Sequence, residues 1–110
     1  MTDQEVPFDV RTEERNDHAR VVVSGELDFF REPELRVHVE KLLTQSPPAR
    51  LVLDVVGLDF LDSAGLRGLL VCRDRCRSAD VPFTLAVTPG PVTRLLDLAG
   101  VQSWFDYEGA

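Results

Sequence analysis

The sequence predicts an α/β fold: one domain with a mixed, mostly parallel β-sheet, an antiparallel hairpin at its amino end and helices packed on the sheet. Three observations carry this. Short apolar or β-branched runs recur at Val21-Val22-Val23, Leu51-Val52-Leu53 and Phe83-Thr84-Leu85. Between them the apolar period lengthens from two to that of a helix, as in Leu35, Val39, Leu42 and Leu43. The two kinds of segment then alternate, and repeated strand-helix units call for parallel strands joined by right-handed crossovers.

Phe8 to Glu14 alternates loosely with period two and reads as an edge strand. Asn16-Asp17 is turn chemistry, and Ala19 to Leu27 is a second, more buried strand that completes a hairpin. The first helix starts at Pro33 and ends near Thr44, before the breakers Ser46-Pro47-Pro48. Leu51 to Val55 is the third strand, followed by a loop punctuated by Gly57, Asp59 and Asp62. A second helix spans Ser63 to about Ser78, with Leu66, Leu69, Leu70, Cys72 and Cys76 toward one side and Arg67, Arg73, Arg75 and Arg77 on the remainder. Pro82 introduces a strand over Phe83 to Val87, and Thr88-Pro89-Gly90-Pro91 is a tight connection. Val92, Leu95, Leu96 and Ala99 form a third apolar stripe, stopped by Gly100. Trp104 to Tyr107 reads as a last strand, giving the order β-β-α-β-α-β-α-β. Residues 1 to about 6 are expected to be loose.

The 110 residues suffice for one domain spanning 1–110 and its single core, not for a catalytic domain plus a regulatory one. A net charge of -7 argues against nucleic acid, whose phosphates are met by Lys and Arg. Met1-Thr2-Asp3-Gln4-Glu5 lacks a basic, apolar leader, and no apolar run approaches the roughly 20 residues of a spanning helix, so a soluble, cytoplasmic protein without a membrane partner is expected. Cys72 and Cys76, four apart on one helix, lack further ligands for zinc and read as core thiols.

The most informative stretch is Leu51 to Leu70, where strand, loop and helix meet at the carboxyl edge of the sheet and present Ser63 among carboxylates. A nucleophile elbow would need Gly two residues before the serine, where Leu61 stands, and a base, for which only His18 and His38 exist. His18 belongs to the opposite end of its strand and His38 to a helix flank, so a hydrolase is disfavoured. No phosphate-cradling glycine motif occurs. Asp28, Asp54, Asp59 and Asp62 fall in two separate segments, a poor basis for a Mg²⁺ site. Ser63 has two readings left: with Asp62 it caps the helix, or it accepts a phosphate that adds roughly -1.5 to -2 charges. Attraction of that phosphate to the helix N-terminus, about 0.3–1 kcal/mol, would be offset by repulsion on the order of 1–3 kcal/mol from nearby carboxylates. The fold would survive modification, whereas a partner pressed onto this face would not tolerate it.

Gly25-Glu26-Leu27-Asp28, Pro33-Glu34-Leu35, Leu51-Val52-Leu53-Asp54, Phe60-Leu61-Asp62-Ser63-Ala64-Gly65-Leu66 and Val92 to Val101 together resemble the STAS domain, specifically the anti-sigma factor antagonists. The resemblance runs through nearly the whole chain, and its Asp-Ser-Ala-Gly-Leu element is the most specific part. It implies a non-enzymatic partner switch that acts on sigma-factor-dependent transcription, as in stress responses. The unphosphorylated protein would bind an anti-sigma factor that is also a serine kinase, releasing a sigma factor. That kinase, with its own ATP and Mg²⁺, would phosphorylate Ser63, and a phosphoserine phosphatase would reset it; this chain itself would carry no cofactor. Asp28 and Asp62 match the acidic residues near and before the phosphorylated serine. The implied docking surface comprises Asp28, Phe29, Phe30, Asp59, Asp62, Ser63, Ala64, Gly65, Arg67 and Thr88. Arg31 departs from the family, standing where a small hydroxyl residue often caps the first helix, so that helix must be held another way. Phe29-Phe30 is bulkier than usual; one of the pair is expected in the core and the other as a partner contact. The family commonly ends in a further helix, which is expected to be absent or truncated here. The alternative keeps the fold and drops the switch: a STAS scaffold in a stress-signalling or lipid-transport complex, with Ser63 only capping.

Overall fold

Residues 8–109 are described by a computed structural model; the expectation for residues 1–6 lies outside that range. β1 (Asp9–Glu14) pairs antiparallel with β2 (Ala19–Leu27) in a register from Asp9 opposite Ser24 to Glu14 opposite Ala19. β2 alternates strictly, with Ala19, Val21, Val23, Gly25 and Leu27 buried, because one face of the hairpin must cover the core. α1 (Glu32–Gln45) then leads to β3 (Leu51–Leu61), α2 (Ser63–Ser78), β4 (Phe83–Ala86), α3 (Pro91–Ala99) and a 3₁₀ turn at Gln102–Trp104. β2, β3 and β4 are parallel, so the four strands stand in sequence order β1-β2-β3-β4.

The core joins Val21, Val23 and Leu27 of β2, Leu51, Leu53 and Val55 of β3 and Phe83 and Leu85 of β4 to Leu35, Val39, Leu69, Cys72, Cys76 and Leu96 of the helices. Both thiols are buried as expected, and burial raises their pKa, that of Cys76 to about 12, which keeps them protonated. α1 and α2 pack on each other. Their approach is close: a Cβ on Gly65 would lie 2.3 Å from the Leu27 carbonyl oxygen, and one on Gly68 would lie 2.8 Å from Cγ of Glu32.

Two elements differ from the sequence expectation. β3 does not stop at Val55 but continues to Leu61, because β2 offers it a ladder as far as the pair Leu27–Leu61. Register shifts at Val22/Ser24 and Gly25/Glu26 absorb the mismatch, with Gly25 buried at φ 95°, a left-handed value that favours glycine. Gly57 and Asp59 read locally as loop residues, and long-range pairing overrides them. The last strand is reduced to a single parallel bridge between Leu85 and Tyr107, preceded by the 3₁₀ turn. β4 itself is only four residues long and pairs with Leu51–Asp54 alone, so α3 rather than a strand packs beside β3.

Ion pairing adds to that bridge and to buried Phe105 in securing the tail. Both carboxylate oxygens of Glu108 accept from Arg20, at 2.7 and 2.9 Å, and Arg20 also donates to Asp54 at 3.0 Å. The guanidinium holds the Glu108 carboxyl below its ordinary pKa of 4.5, chiefly by hydrogen bonding. A depressed carboxylate contributes stability in full above that ordinary value and loses it as pH falls through the folded pKa. Glu108→Gln is therefore expected to cost about 0.5–1 kcal/mol at pH 7, with the difference from wild type shrinking toward pH 3 in urea unfolding followed at several pH values. Gly65→Ala, which drives a methyl into the Leu27 backbone, is expected to cost about 2 kcal/mol in the same measurement, against less than about 1 kcal/mol for Gly90→Ala.

Candidate functional site

The carboxylate of Asp62 ties three elements together. As the N-cap of α2 it accepts through Oδ1 from the Gly65 amide at 2.8 Å, in extended backbone at φ -102°. Its Oδ2 accepts from the Phe29 amide at 3.2 Å, and its own amide donates to the Leu27 carbonyl at 3.3 Å. One acidic side chain thereby joins the end of β2, the loop after it and the first turn of α2.

Asp28 organises the other side of the junction. Its Oδ1 accepts from the amides of Phe30 and Arg31, both at 3.0 Å, and its carbonyl accepts from Arg31 and Glu32. That is how α1 begins without a capping hydroxyl: Arg31 occupies the N-cap position with no side-chain cap bond, Pro33 sits in the first turn, and Asp28 satisfies the orphan amides from outside.

Between these two carboxylates Ser63 is exposed at the first position of α2. Its hydroxyl makes no hydrogen bond to any described residue, because Asp62 already fills the capping role. Phe29, whose amide bonds Asp62 next to it, and Phe30 stand on the β2–α1 loop, 68% and 81% exposed, with their rings edge to face at 5.5 Å. The expectation that one of the pair enters the core is thus incorrect: Asp28 turns the loop outward with both of its amide bonds, and Leu27 and Leu35 fill the core on either side.

Of the residues expected at a docking surface, Asp28, Phe29 and Phe30 stand on the loop that the Phe29 amide ties to Asp62; Ser63, Ala64 and Arg67 follow in the first turns of α2, and Asp59 is exposed near the end of β3. Gly65 is not part of the surface; it is buried where α2 crosses Leu27 and serves packing. Thr88 is exposed, but β4 ends opposite Asp54, seven residues before Leu61, so nothing in the pairing brings Thr88 to Ser63. Sequence reasoning missed Phe60, which is 46% exposed and paired with Glu26 beside the aromatic loop. Only the unexpected extension of β3 placed it there, and no local signal pointed to it.

Neither histidine belongs to this junction. His18 bonds Asp17 at the start of β2, and His38 on α1 bonds Thr12 at 2.7 Å, with burial lowering its pKa. Asp54 is committed to Arg20 and the Val56 amide, and among the described residues no three Asp, Glu, His or Cys side chains gather to hold a metal. A cavity of about 390 Å³ lies elsewhere, between α2 and the C-terminal segment, lined by Arg73, Arg77, Phe83, Trp104 and Phe105.

The STAS domain family model matches residues 9–108, and with them every element of this site. The chain belongs to the STAS domain family. An anti-sigma F factor antagonist of Lysinibacillus sphaericus is 28% identical over 81 residues, covering 73% of this STAS chain and 68% of the relative. Among solved structures, an anti-sigma factor antagonist from Mycobacterium paratuberculosis superposes with a TM-score of 0.82 at 24% identity, covering 94% of this chain and 87% of that one. SpoIIAA shares the STAS fold in its unphosphorylated form, with a TM-score of 0.66 at 20% identity and coverage of 90% and 86%. The Bacillus cell fate determinant SpoIIAA in its phosphorylated form gives 0.64 at 21% identity over 88% of each chain.

The division of labour between the cap and the hydroxyl has a direct check. Asp62→Ala is expected to lower stability by about 1–2 kcal/mol and Ser63→Ala by less than about 0.5 kcal/mol, read from urea unfolding; equal losses would show that Ser63 shares the cap.

Proposed function

We propose that this chain is an anti-sigma factor antagonist controlled by phosphorylation of Ser63. In the unphosphorylated state it binds an anti-sigma factor that is also a serine kinase, and the sigma factor is released. The kinase transfers a phosphoryl group from its own Mg²⁺-bound ATP to Oγ of Ser63, taking up the hydroxyl proton, and a phosphoserine phosphatase reverses the modification in the cytoplasm. The observation that carries this reading is the exposed Ser63 hydroxyl, free of structural duty beside a carboxylate that performs the cap.

The chain's own part is display and recognition rather than catalysis. Phe29 and Phe30 present apolar surface on a loop fixed by three amide-carboxylate bonds, so docking against them costs little ordering. A dianion next to them would have to be stripped of water beside Asp28 and Asp62 when the partner closes, which opposes binding by several kcal/mol. The fold need not move. The STAS relatives that are anti-sigma factor antagonists support the antagonist role, and the existence of a phosphorylated form of SpoIIAA supports control by phosphorylation.

The experiment mixes the protein with candidate anti-sigma kinases and Mg²⁺-ATP and follows intact mass and pull-down. Wild type is expected to gain one phosphate. Ser63→Ala gains none and still binds, whereas Ser63→Asp and Phe30→Ser bind at least about tenfold more weakly, a loss of about 1.4 kcal/mol. Phosphate mapped to Ser46, Ser78 or Thr88, or undiminished binding by Ser63→Asp, would overturn the switch; the latter result would favour a non-switching scaffold.

A further inference from the structure

Arg67 stands four residues after Ser63 on α2, and both are exposed. Residues at this spacing are surface neighbours, and helical side chains lean toward the N-terminus, so an arginine at position 67 can reach back over the first turn toward the serine. Arg67 has no ion-pair or hydrogen-bond partner among the described residues. Three of the acids around it are directed elsewhere. Asp62 accepts from the Gly65 and Phe29 amides, Asp28 from the Phe30 and Arg31 amides, and Glu32 pairs with Arg36 at 2.9 Å. Glu26 and Asp59 are exposed near the ends of β2 and β3, and Arg31, the other nearby cation, lies at the start of α1.

We propose that Arg67 is the internal counter-ion of a phosphoserine at position 63. A guanidinium meets phosphate oxygens with paired N–H donors, and here it reaches them from the same helix without any change of backbone. The inference rests on the phosphorylation reading above and adds how the modified state is held. The phosphate would otherwise face only the carboxylates of Asp28 and Asp62 and the amides of the helix start, several of which those carboxylates already occupy. Arg67 gives it a positive neighbour and keeps it doubly ionised near neutral pH. Phosphorylation then changes the docking face twice, adding a dianion and drawing an arginine away from any partner.

The test installs phosphoserine at position 63 during translation, so that no kinase is required, and titrates the full chain by ³¹P NMR. The second ionisation of the phosphate in the otherwise wild-type chain is expected about half a pH unit lower than in the Arg67→Leu variant, a factor of about three in the proton equilibrium. Arg67→Lys should recover part of the shift, and Arg31→Leu should titrate as wild type. A midpoint unmoved by Arg67→Leu, or moved further by Arg31→Leu, overturns the inference, as does loss of the folded amide spectrum in the phosphoserine protein itself. Failure of every kinase to modify Ser63 would instead end the proposed function and leave the titration unaffected.

Discussion

The structure hangs on one crossing, where the first turn of α2 is laid against the backbone at the end of β2. Two features permit it. Gly65 has no Cβ, and any added carbon would stand 2.3 Å from the Leu27 carbonyl oxygen. Asp62 then converts closeness into attachment, one oxygen on its own helix and the other on the loop that follows β2. Strand, loop and helix become one rigid corner, and side chains that point outward from it have no freedom to fold back into the core. Ser63, Phe29 and Phe30 are exposed for that reason rather than because the chain is loose there.

Much of this was legible before any coordinates. The strict alternation of β2, the helical stripes and the breakers around them specify the elements because each is a local record of which face is buried. The chemistry of the corner was legible too, since an Asp-Ser pair opening a helix states its own capping requirement. What failed depended on partners far away in sequence. Nothing within Val56–Leu61 reveals that β2 extends alongside it, so the end of β3 looked like a loop and Phe60 went unnoticed. The outward turn of Phe29-Phe30 is set by two amide bonds to Asp28 that hydrophobicity alone contradicts. The tail read as a strand from Trp104-Phe105-Asp106-Tyr107, and only its Tyr107 bridge to Leu85 is strand-like; buried Phe105 and an ion pair between Glu108 and Arg20, 88 residues apart, hold it as well, and no spacing rule exposes that pair.

The distribution of charge follows a consistent logic. With a net charge of -7 the chain has more acids than bases, and the acids at the corner are consumed by backbone amides rather than by cations. A carboxylate bonded to backbone amides, as Asp62 is through both oxygens and Asp28 through one, contributes negative potential at the surface while those oxygens are already engaged. Under the proposed function, recognition then falls largely to apolar contact. The Phe29-Phe30 pair would supply it, with the two rings edge to face at 5.5 Å.

An apolar contact placed beside capping acids makes a sensitive receptor for added charge. Burying aromatic surface contributes steadily with area and is nearly indifferent to orientation, so small shifts would not abolish it. A desolvated dianion is different: its cost does not depend on how well the rest of the interface fits, and it cannot be relieved by sliding when the serine is locked at the first position of a helix. Were Ser63 on a mobile loop, a partner could close over the aromatics and leave the phosphate in water. The Gly65 crossing removes that escape. The same packing that makes the corner rigid is therefore what would let one modification outweigh an aromatic contact without disturbing the core beneath it.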